Sequence, residues 1–532
     1  MYFLIRKMQT TLKTPDHIKP NQNKTFPIGT LQTVTTIFED LHLPPLLDGL
    51  KHCGHRLSGL VTGLVSYKMT EDLSVSRCHQ WMTSNPLLLD YLHLASFEDD
   101  ALYRALAILG EHKHQILRHL LQVLTEEYDV GLDMVFMDWT TVYFEAKPSE
   151  YIKYGYSRDH RPDRPQVTIG LAQDQHSQLP VGLSIQPGNI NDQTHFKITY
   201  QQIKPGLRTG SVLVFDAGAT GAPNLDLLVA DKMKYLSRMK LNTSDITHHL
   251  RTFNKEAWTQ VMTKNQDEQV YGKMLVFPSR TKYLFFSQTL YDDTLSNRRR
   301  RLEQEYDDAL NLWKTIQEKK TPRKKYRSSN HFLQTHLSYT FPLTGLTRQQ
   351  AIERALQLSI TGKEGFFSLV SNKDFSLHEA LQYYREKDSV EKLFNSIKNE
   401  LHVRPTRCWT QEAIDGSILV VFLAQLLVSM LRYQHTTLRK ISTKFIVQSL
   451  SNFAFLRTLF RFLRYIDIIH WVYYFYLQGR NPQAFLGAHR HNVASGYRTP
   501  NHLQRLSKPS EIVGVPLPSM LCPKRTLKFF FS

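Results

Sequence analysis

The segment 383–398 constrains the possible folds of this chain more than any other stretch of its 532 residues. Its polar residues follow steps of three, four and seven, which bring side chains to one face of an α-helix. They are Tyr384, Lys387, Glu391 and Lys398. The apolar positions beside them are Val390, Leu393, Phe394 and Ile397. One carboxylate between cations and a phenol is unusual for a face that packs into a core, and it suits a divalent cation and a phosphodiester.

Two aspartates upstream end short apolar runs. Asp138 follows residues 134–137 and Asp216 follows residues 212–215, so each is predicted to be the last residue of a buried strand. Taken singly, such an aspartate is more often a helix cap or a turn residue. However, phosphoryl transfer uses two metal ions bridged by several acidic oxygens, which Glu391 alone does not supply. The order of strand-Asp, strand-Asp and helix-Glu therefore favours a site of three carboxylates.

With these residues in place, the chain resembles the DDE transposases of prokaryotic insertion sequences. The resemblance is to the branch that carries a Tyr-Arg-Glu-Lys signature on the helix of the third acid. Tyr384, Glu391 and Lys398 match the signature, and Lys387 replaces its arginine. Lysine keeps the positive charge but loses bidentate phosphate binding. The resemblance covers roughly residues 132–409.

The resemblance implies an α/β fold, with a ribonuclease H-like mixed-sheet catalytic core, a β-rich insertion and flanking helical regions. The expected regions are a helical N-terminal region at 1–131, the first part of the core at 132–240, an inserted subdomain at 241–364, the last part of the core with the glutamate helix at 365–409, a helical C-terminal region at 410–479 and a basic tail at 480–532. Within the insertion, 271–278 and 282–287 are predicted to be two strands of a small sheet. Asp192 is expected to cap the helix that follows the first three strands.

The resemblance also implies a reaction: cleavage of DNA strands at the ends of a transposable element and transfer of those strands to target DNA. Asp138, Asp216 and Glu391 would hold two Mg²⁺ ions, with Mn²⁺ as a substitute. Tyr384, Lys387 and Lys398 would bind DNA phosphates. Further DNA contacts are expected at Arg158, His160, Arg161, Arg238 and Lys240.

The region before the catalytic core is predicted to be helical, since residues 101–126 carry leucines and isoleucine at helical spacing. In transposases of this class such a module binds the terminal inverted repeat, which is double-stranded DNA. A module for packing or dimerisation is the alternative. The family further implies a homodimer in a synaptic complex with transposon ends and target DNA.

The formal net charge of +18 favours a polyanionic partner, although excess lysine and arginine can also merely solvate a surface. The arginine run 298–301 has the same two interpretations, a DNA-binding helix or a solvated one. Residues 418–428 are strongly apolar but shorter than the roughly 20 residues of a bilayer span, so a buried core helix is expected. No signal peptide is evident. A cytoplasmic, nucleoid-associated protein without membrane contacts is predicted.

Two alternatives to a transposase stay open at this stage. One is a transposase-derived DNA-binding protein that no longer catalyses a reaction, and the other is a non-transposing nuclease of the ribonuclease H-like fold. The three acidic residues argue against the first. Both alternatives share the DNA partner and differ in what happens to the strands.

Overall fold

The computed structural model describes residues 26–455, except for 52, 71–73, 146, 262–267, 320–345, 404–407 and 452–453. The expected basic tail at 480–532 and the part of the expected C-terminal helical region from 456 to 479 lie outside these described residues. Everything below refers to the described part of the chain.

Runs rich in β-branched and aromatic residues form a nine-stranded mixed sheet. Its strands are β2 (Met134–Tyr143), β3 (Gln166–Asp174), β4 (Pro180–Pro187), β5 (Val212–Phe215), β6 (Lys234–Met239), β7 (Thr259–Val261), β8 (Val270–Phe277), β9 (Arg280–Ser287) and β10 (Phe366–Ser371). The spatial order is β4-β3-β2-β5-β6-β10-β9-β8-β7. A separate pair joins β1 (Phe26–Pro27) to β11 (Ala454–Phe455).

The first five strands of the catalytic region have the ribonuclease H-like arrangement that the family resemblance implied. β2, β3 and β4 form an antiparallel meander, and β5 and β6 then follow in parallel with β2. Because β5 and β6 end at the same edge of the sheet, the residues after them are neighbours in space. Ligands of open α/β sheets bind at such an edge.

The two strands predicted in the insertion are present as β8 and β9. They do not form a small sheet of their own, so that part of the prediction is wrong. β10 pairs with β6 on one side and with β9 on the other, and the β7–β9 strands therefore continue the catalytic sheet. Aromatic packing supports this junction, since Phe253 contacts Phe286 and Phe366 at ring-centroid distances of 4.6 and 5.2 Å. Trp258 is buried in the same cluster.

Helices surround the sheet. Before it come α1 (Gly29–Asp40), α2 (Leu43–Gly49), α3 (Leu57–Thr70), α4 (Val75–Thr83), α5 (Pro86–Tyr91), α6 (Asp100–Glu111) and α7 (Lys113–Glu126). The later helices are α8 (Asp192–Ile203), α9 (Ala222–Ala230), α10 (Gln288–Lys319), α11 (Arg348–Ser359), α12 (Leu377–Glu386), α13 (Asp388–Asn395), α14 (Gln411–Gln434) and α15 (Thr443–Ser451). The helical nature of the N-terminal region is thus confirmed from Gly29 onward.

Helix α14 is longer than the apolar run at 418–428 suggested. By length and composition it could cross a membrane, but 94% of its most apolar window is buried inside the protein. It crosses α6 so closely that a Cβ on Gly416 would lie 1.9 Å from the carbonyl oxygen of Leu106. Only glycine fits there without movement of the backbone. The prediction of a buried core helix is therefore confirmed.

The arginine run 298–301 lies on α10, which packs against α11 through Leu302, Tyr306 and Ile352. Arg298 pairs with Glu364, Arg299 with Glu353 and Arg301 with Glu305. Arg300 donates to the side-chain oxygen of Asn297. Most of the positive charge of this run is therefore matched by carboxylates of the same chain.

Candidate active site

The two aspartates come from adjacent parallel strands. The register pairs Phe136 of β2 with Val214 of β5, so Asp138 and Asp216 each lie two residues beyond this pair. Asp216 directly follows β5, one residue beyond the strand that it was predicted to end. Asp138 does not end its strand, because β2 continues to Tyr143 in pairing with β3. The continuation buries Trp139 and Val142 and holds Asp138 rigidly inside the sheet.

The third acid lies on a helix that is not continuous. The predicted single helix consists of α12 and α13, which meet at Lys387, followed by a π-helical turn, Ser396–Glu400. The apolar side packs as expected, with Val390, Leu393, Phe394 and Ile397 all buried. Tyr384 is on α12, Glu391 on α13 and Lys398 in the π turn.

Lys387 lies between the three carboxylates rather than beside them. Its Nζ is 3.2 Å from Glu391 Oε1, 3.4 Å from Asp216 Oδ2 and 3.9 Å from Asp138 Oδ2. The Lys387 side chain is only 3% exposed. The structure thus brings Asp138, Asp216 and Glu391 together around one ammonium group.

Solvent reaches the three acids to different degrees. The side chain of Asp138 is 13% exposed, that of Asp216 39% and that of Glu391 56%. Burial raises the pKa of Asp138 to about 6, with the charge of Asp216 adding to the effect and that of Lys387 opposing it. Burial would lower the pKa of Lys387, but the three carboxylates raise it above its ordinary value. Lys387 is therefore a charged group at neutral pH.

The donor set of this cluster fits a hard divalent cation by its chemistry. It offers carboxylate oxygens from three separate elements, which are the ligands that Mg²⁺ and Mn²⁺ prefer. Within the described ranges, no three acidic, histidine or cysteine side chains lie close enough as they stand to hold one ion. Lys387 occupies the centre of the cluster, so its ammonium and a metal ion would compete for the same oxygens.

Tyr384 orients one of the acids. Its hydroxyl donates to Asp216 Oδ1 at 2.6 Å, and Arg238 also bonds to this hydroxyl. Burial and the charge of Asp216 raise the pKa of Tyr384, so the phenol keeps its proton. Tyr384 is therefore in contact with the carboxylate cluster, as predicted from its position on the same helix face as Glu391.

Lys398 lies apart from the three acids and is largely buried. Its Nζ is 2.6 Å from Thr140 Oγ1 and 3.0 Å from Asp159 Oδ1, and its side chain is 11% exposed. Thr140 is on the same face of β2 as Asp138, because side chains two residues apart on a strand point the same way. Lys398 thus fixes the 155–164 loop against β2.

A cleft of about 900 Å³ opens above the acids. Among the predicted residues, it is lined by Asp138, Asp216, Glu391, Arg158, Arg238 and Lys240. Arg158 pairs there with Asp192. The structure does not bring His160 or Arg161 to this lining. His160 is exposed with a left-handed backbone, and Arg161 pairs with Asp163.

Three ionisable residues of the lining were not predicted as site residues: Asp192, Lys363 and the exposed Tyr156. Asp192 was expected to cap α8, but Asn191 is the cap and accepts a hydrogen bond from the Thr194 N–H at 2.9 Å. Asp192 is thereby left to pair with Arg158. Lys363 carries no signal in the sequence that separates it from other lysines.

Comparison with known proteins identifies the catalytic region independently of this geometry. The family model described as "Transposase DDE domain" matches residues 131–427, which is more than half of the chain. No curated protein matches the chain. Among solved structures, a cryo-EM structure of the piggyBac transposase synaptic complex with hairpin DNA is similar with a TM-score of 0.38 and 11% sequence identity. That alignment covers 90% of this chain and 89% of the other.

Proposed function

The chain belongs to the transposase DDE domain family, and from that premise we propose that it binds the terminal inverted repeats of a prokaryotic insertion sequence and catalyses metal-dependent strand cleavage and strand transfer. The observation that carries the proposal is the convergence of Asp138, Asp216 and Glu391 on one cleft. These acids would hold two divalent ions, Mg²⁺ with Mn²⁺ as a substitute. When bound, the ions would polarise the scissile phosphodiester and the attacking oxygen.

In the first step of the proposed reaction, water attacks a backbone phosphorus at the end of the element and releases a 3′-hydroxyl. In the second step, that hydroxyl attacks a phosphodiester of target DNA, so one bond forms as another breaks and no protein–DNA bond is made. The Tyr384 hydroxyl holds Asp216 in orientation through its 2.6 Å hydrogen bond. Lys387 neutralises the acids and, once displaced from their centre, becomes available to a phosphate oxygen.

The positive lining of the cleft supports DNA as the substrate. Arg238 and Lys240 are exposed beside Asp216, since Phe215 pairs with Ser237 in the parallel register of β5 and β6. Cations at this distance attract and position backbone phosphates without reading sequence. Sequence recognition then falls to another part of the protein, and we assign it to the N-terminal helical region. Two chains, each engaged with one end, would form the synaptic complex.

The proposal is tested by incubating the protein with labelled DNA that spans the sequences flanking its coding region, with and without Mg²⁺. Cutting with insertion into a target plasmid supports transposition, cutting alone indicates a nuclease, and binding without cutting indicates a DNA-binding protein. E391Q should bind the DNA and lose cleavage. E353Q removes a glutamate charge on α11, away from the cleft, and should cut normally. Retained cleavage by E391Q in Mg²⁺ would overturn the assignment of the third acid.

A further inference from the structure

The loop 361–365 at the rim of the cleft is built around a buried carboxylate. Glu364 is 5% exposed and accepts hydrogen bonds from the Thr361 N–H at 3.0 Å, the Thr361 hydroxyl at 3.0 Å and the Gly362 N–H at 2.9 Å. Arg298 donates to the same carboxylate at 2.9 Å. Four donors on one side chain fix the path of the loop.

The backbone of this loop depends on glycine at two places. Gly362 has φ +79° and Gly365 has φ +76°, both in the left-handed region. A Cβ on Gly365 would also lie 2.7 Å from a ring carbon of Phe286 and 2.8 Å from the Cβ of Tyr291. The loop therefore has a defined shape rather than being a simple connection between α11 and β10.

This shape turns Lys363 toward the cleft. Lys363 is exposed and lines the cleft, whereas its neighbour Glu364 points into the protein. The loop leads into β10, whose Ser368 pairs with Met239 of β6. The start of β10 therefore lies beside the end of β6, and Lys240, which directly follows β6, belongs to the same lining. Residues distant in sequence thus contribute two cations to one cleft.

Three other cations of the site are already matched by acids, whereas the exposed Arg238 bonds to the hydroxyl of Tyr384. Arg158 pairs with Asp192, Lys387 with the three carboxylates and Lys398 with Asp159. Among the described residues, Lys363 and Lys240 make no ion pair. The charge of Glu364 does not cancel that of Lys363, because Arg298 neutralises the carboxylate from inside the protein.

We propose that the Glu364-centred loop is a phosphate-binding element in which Lys363, together with Lys240 of the same lining, contacts the backbone of the DNA strand held in the cleft. The inference rests on the proposed function, since it assumes that DNA enters this cleft. Lys363 acts as a positioning residue that binds a phosphate away from the reacting atoms. Its geometry comes from Glu364, so the negative residue in the loop assists the binding of a negative ligand.

The test measures binding by fluorescence anisotropy of a fluorescein-labelled DNA duplex that spans the flanking sequence, in EDTA and over a series of salt concentrations. K363A should weaken binding severalfold and reduce the slope of log affinity against log salt by about one, the change for a single lost phosphate contact. K363R should restore both. K197A removes an equally exposed lysine on α8, outside the cleft lining, and should leave the slope unchanged.

A second pair of variants separates loop geometry from general attraction. E364Q makes the protein more positive by one charge, so non-specific electrostatics predicts tighter binding, whereas the proposal predicts binding about threefold weaker, the size of one exposed charge contact. T361V removes the hydroxyl that donates to Glu364 and accepts from the Lys363 N–H, without changing the charge, and should act in the same direction. Circular dichroism and thermal melting establish whether each variant is folded. If E364Q is not folded, the binding of K363A alone tests the loop proposal.

The outcomes distinguish the loop proposal from the proposed function on which it rests. If the wild type binds and cuts the DNA but K363A behaves as K197A does, the loop proposal is overturned and the proposed function stands. Tighter binding by folded E364Q also overturns the loop proposal. A wild-type protein that does not bind the duplex overturns both.

Discussion

Two groups of cations in this molecule differ in a way that the sequence does not reveal. The arginine run 298–301 on α10 is the denser group in the sequence, yet acids of the same chain pair with Arg298, Arg299 and Arg301. The cleft cations Arg238 and Lys240 are far from Lys363 in sequence, yet all three are exposed on one lining. Free positive charge depends on the acids that folding brings nearby, and not on the density of arginine or lysine in a segment.

The largest expected effect is on DNA cleavage, and it compares an aspartate of the cleft with an aspartate of α10. D216N should lower Mg²⁺-dependent cleavage by roughly a thousandfold or more, since residues of one catalytic unit act together. D307N breaks the exposed pair between Asp307 and Arg348 and should leave cleavage unchanged. Both are measured with end-labelled DNA under single-turnover conditions. Equal losses of cleavage activity in the two variants would mean that the cleft is not the site of cleavage.

The next effect compares a buried cation with an exposed one. K387M leaves three carboxylates without their central ammonium and should lower the free energy of unfolding by about 3 kcal/mol, as expected for a broken buried pair. R299M removes half of an exposed pair and should cost about 0.5 kcal/mol.

Urea unfolding in EDTA measures both losses. Added Mg²⁺ should recover part of the loss in K387M, because a metal ion can replace the missing positive charge, and it should do nothing for R299M. If K387M is as stable as the wild type in EDTA, the ammonium of Lys387 does not balance the acids.

A smaller effect on DNA binding is expected from one arginine of the run on α10, because Arg298 contacts the cleft loop through Glu364. R298M should weaken DNA binding about threefold, like a lost exposed charge contact, although its side chain is on the helix run. R300M, next but one along α10, removes the same charge from a residue whose partner is Asn297 and should bind as the wild type does. Anisotropy titrations at one salt concentration compare the two, and similar affinities would show that Arg298 has no influence on the loop.

The smallest effect concerns pH. Burial alone would raise the pKa of Glu364, but hydrogen bonds from the loop backbone, Arg298 and the Thr361 hydroxyl lower it from 4.5 to about 2. A lowered pKa contributes stability above the ordinary value, and this stability is lost as the pH falls through the lowered one. The difference in unfolding free energy between wild type and E364Q should therefore stay constant from about pH 8 to about pH 5 and shrink only below about pH 4.5. A difference that changes near neutral pH would contradict the assignment.

The parts of the site that the sequence predicted are those in which short patterns and chain direction decide the outcome. Apolar runs before Asp138 and Asp216 predicted two buried strands, and the spacing around Glu391 predicted a helix with Tyr384 on the same side. The mixed sheet followed from the family resemblance. The proposed roles of these residues remain predictions, whereas their convergence is an observed property of the fold.

The parts that could not be predicted depend on partners distant in sequence. Lys398 is held by Asp159, and Lys387, at the junction of α12 and α13, contacts acids from two other segments of the chain. The end of β2 was placed too early because pairing with β3 continues past Asp138. Lys363 was missed because its position comes from hydrogen bonds to Glu364, which no local pattern announces.

The continuation of the catalytic sheet through β10 into β9 and β8 also bears on how such a protein can change over evolution. An insertion that folds by itself can be deleted or exchanged with little harm to its host. Here, deletion would strip β10 of one neighbour and leave an unpaired row of backbone donors and acceptors, which invites aggregation. Recombination between relatives should therefore keep or replace this segment only together with the strand that precedes the glutamate helix.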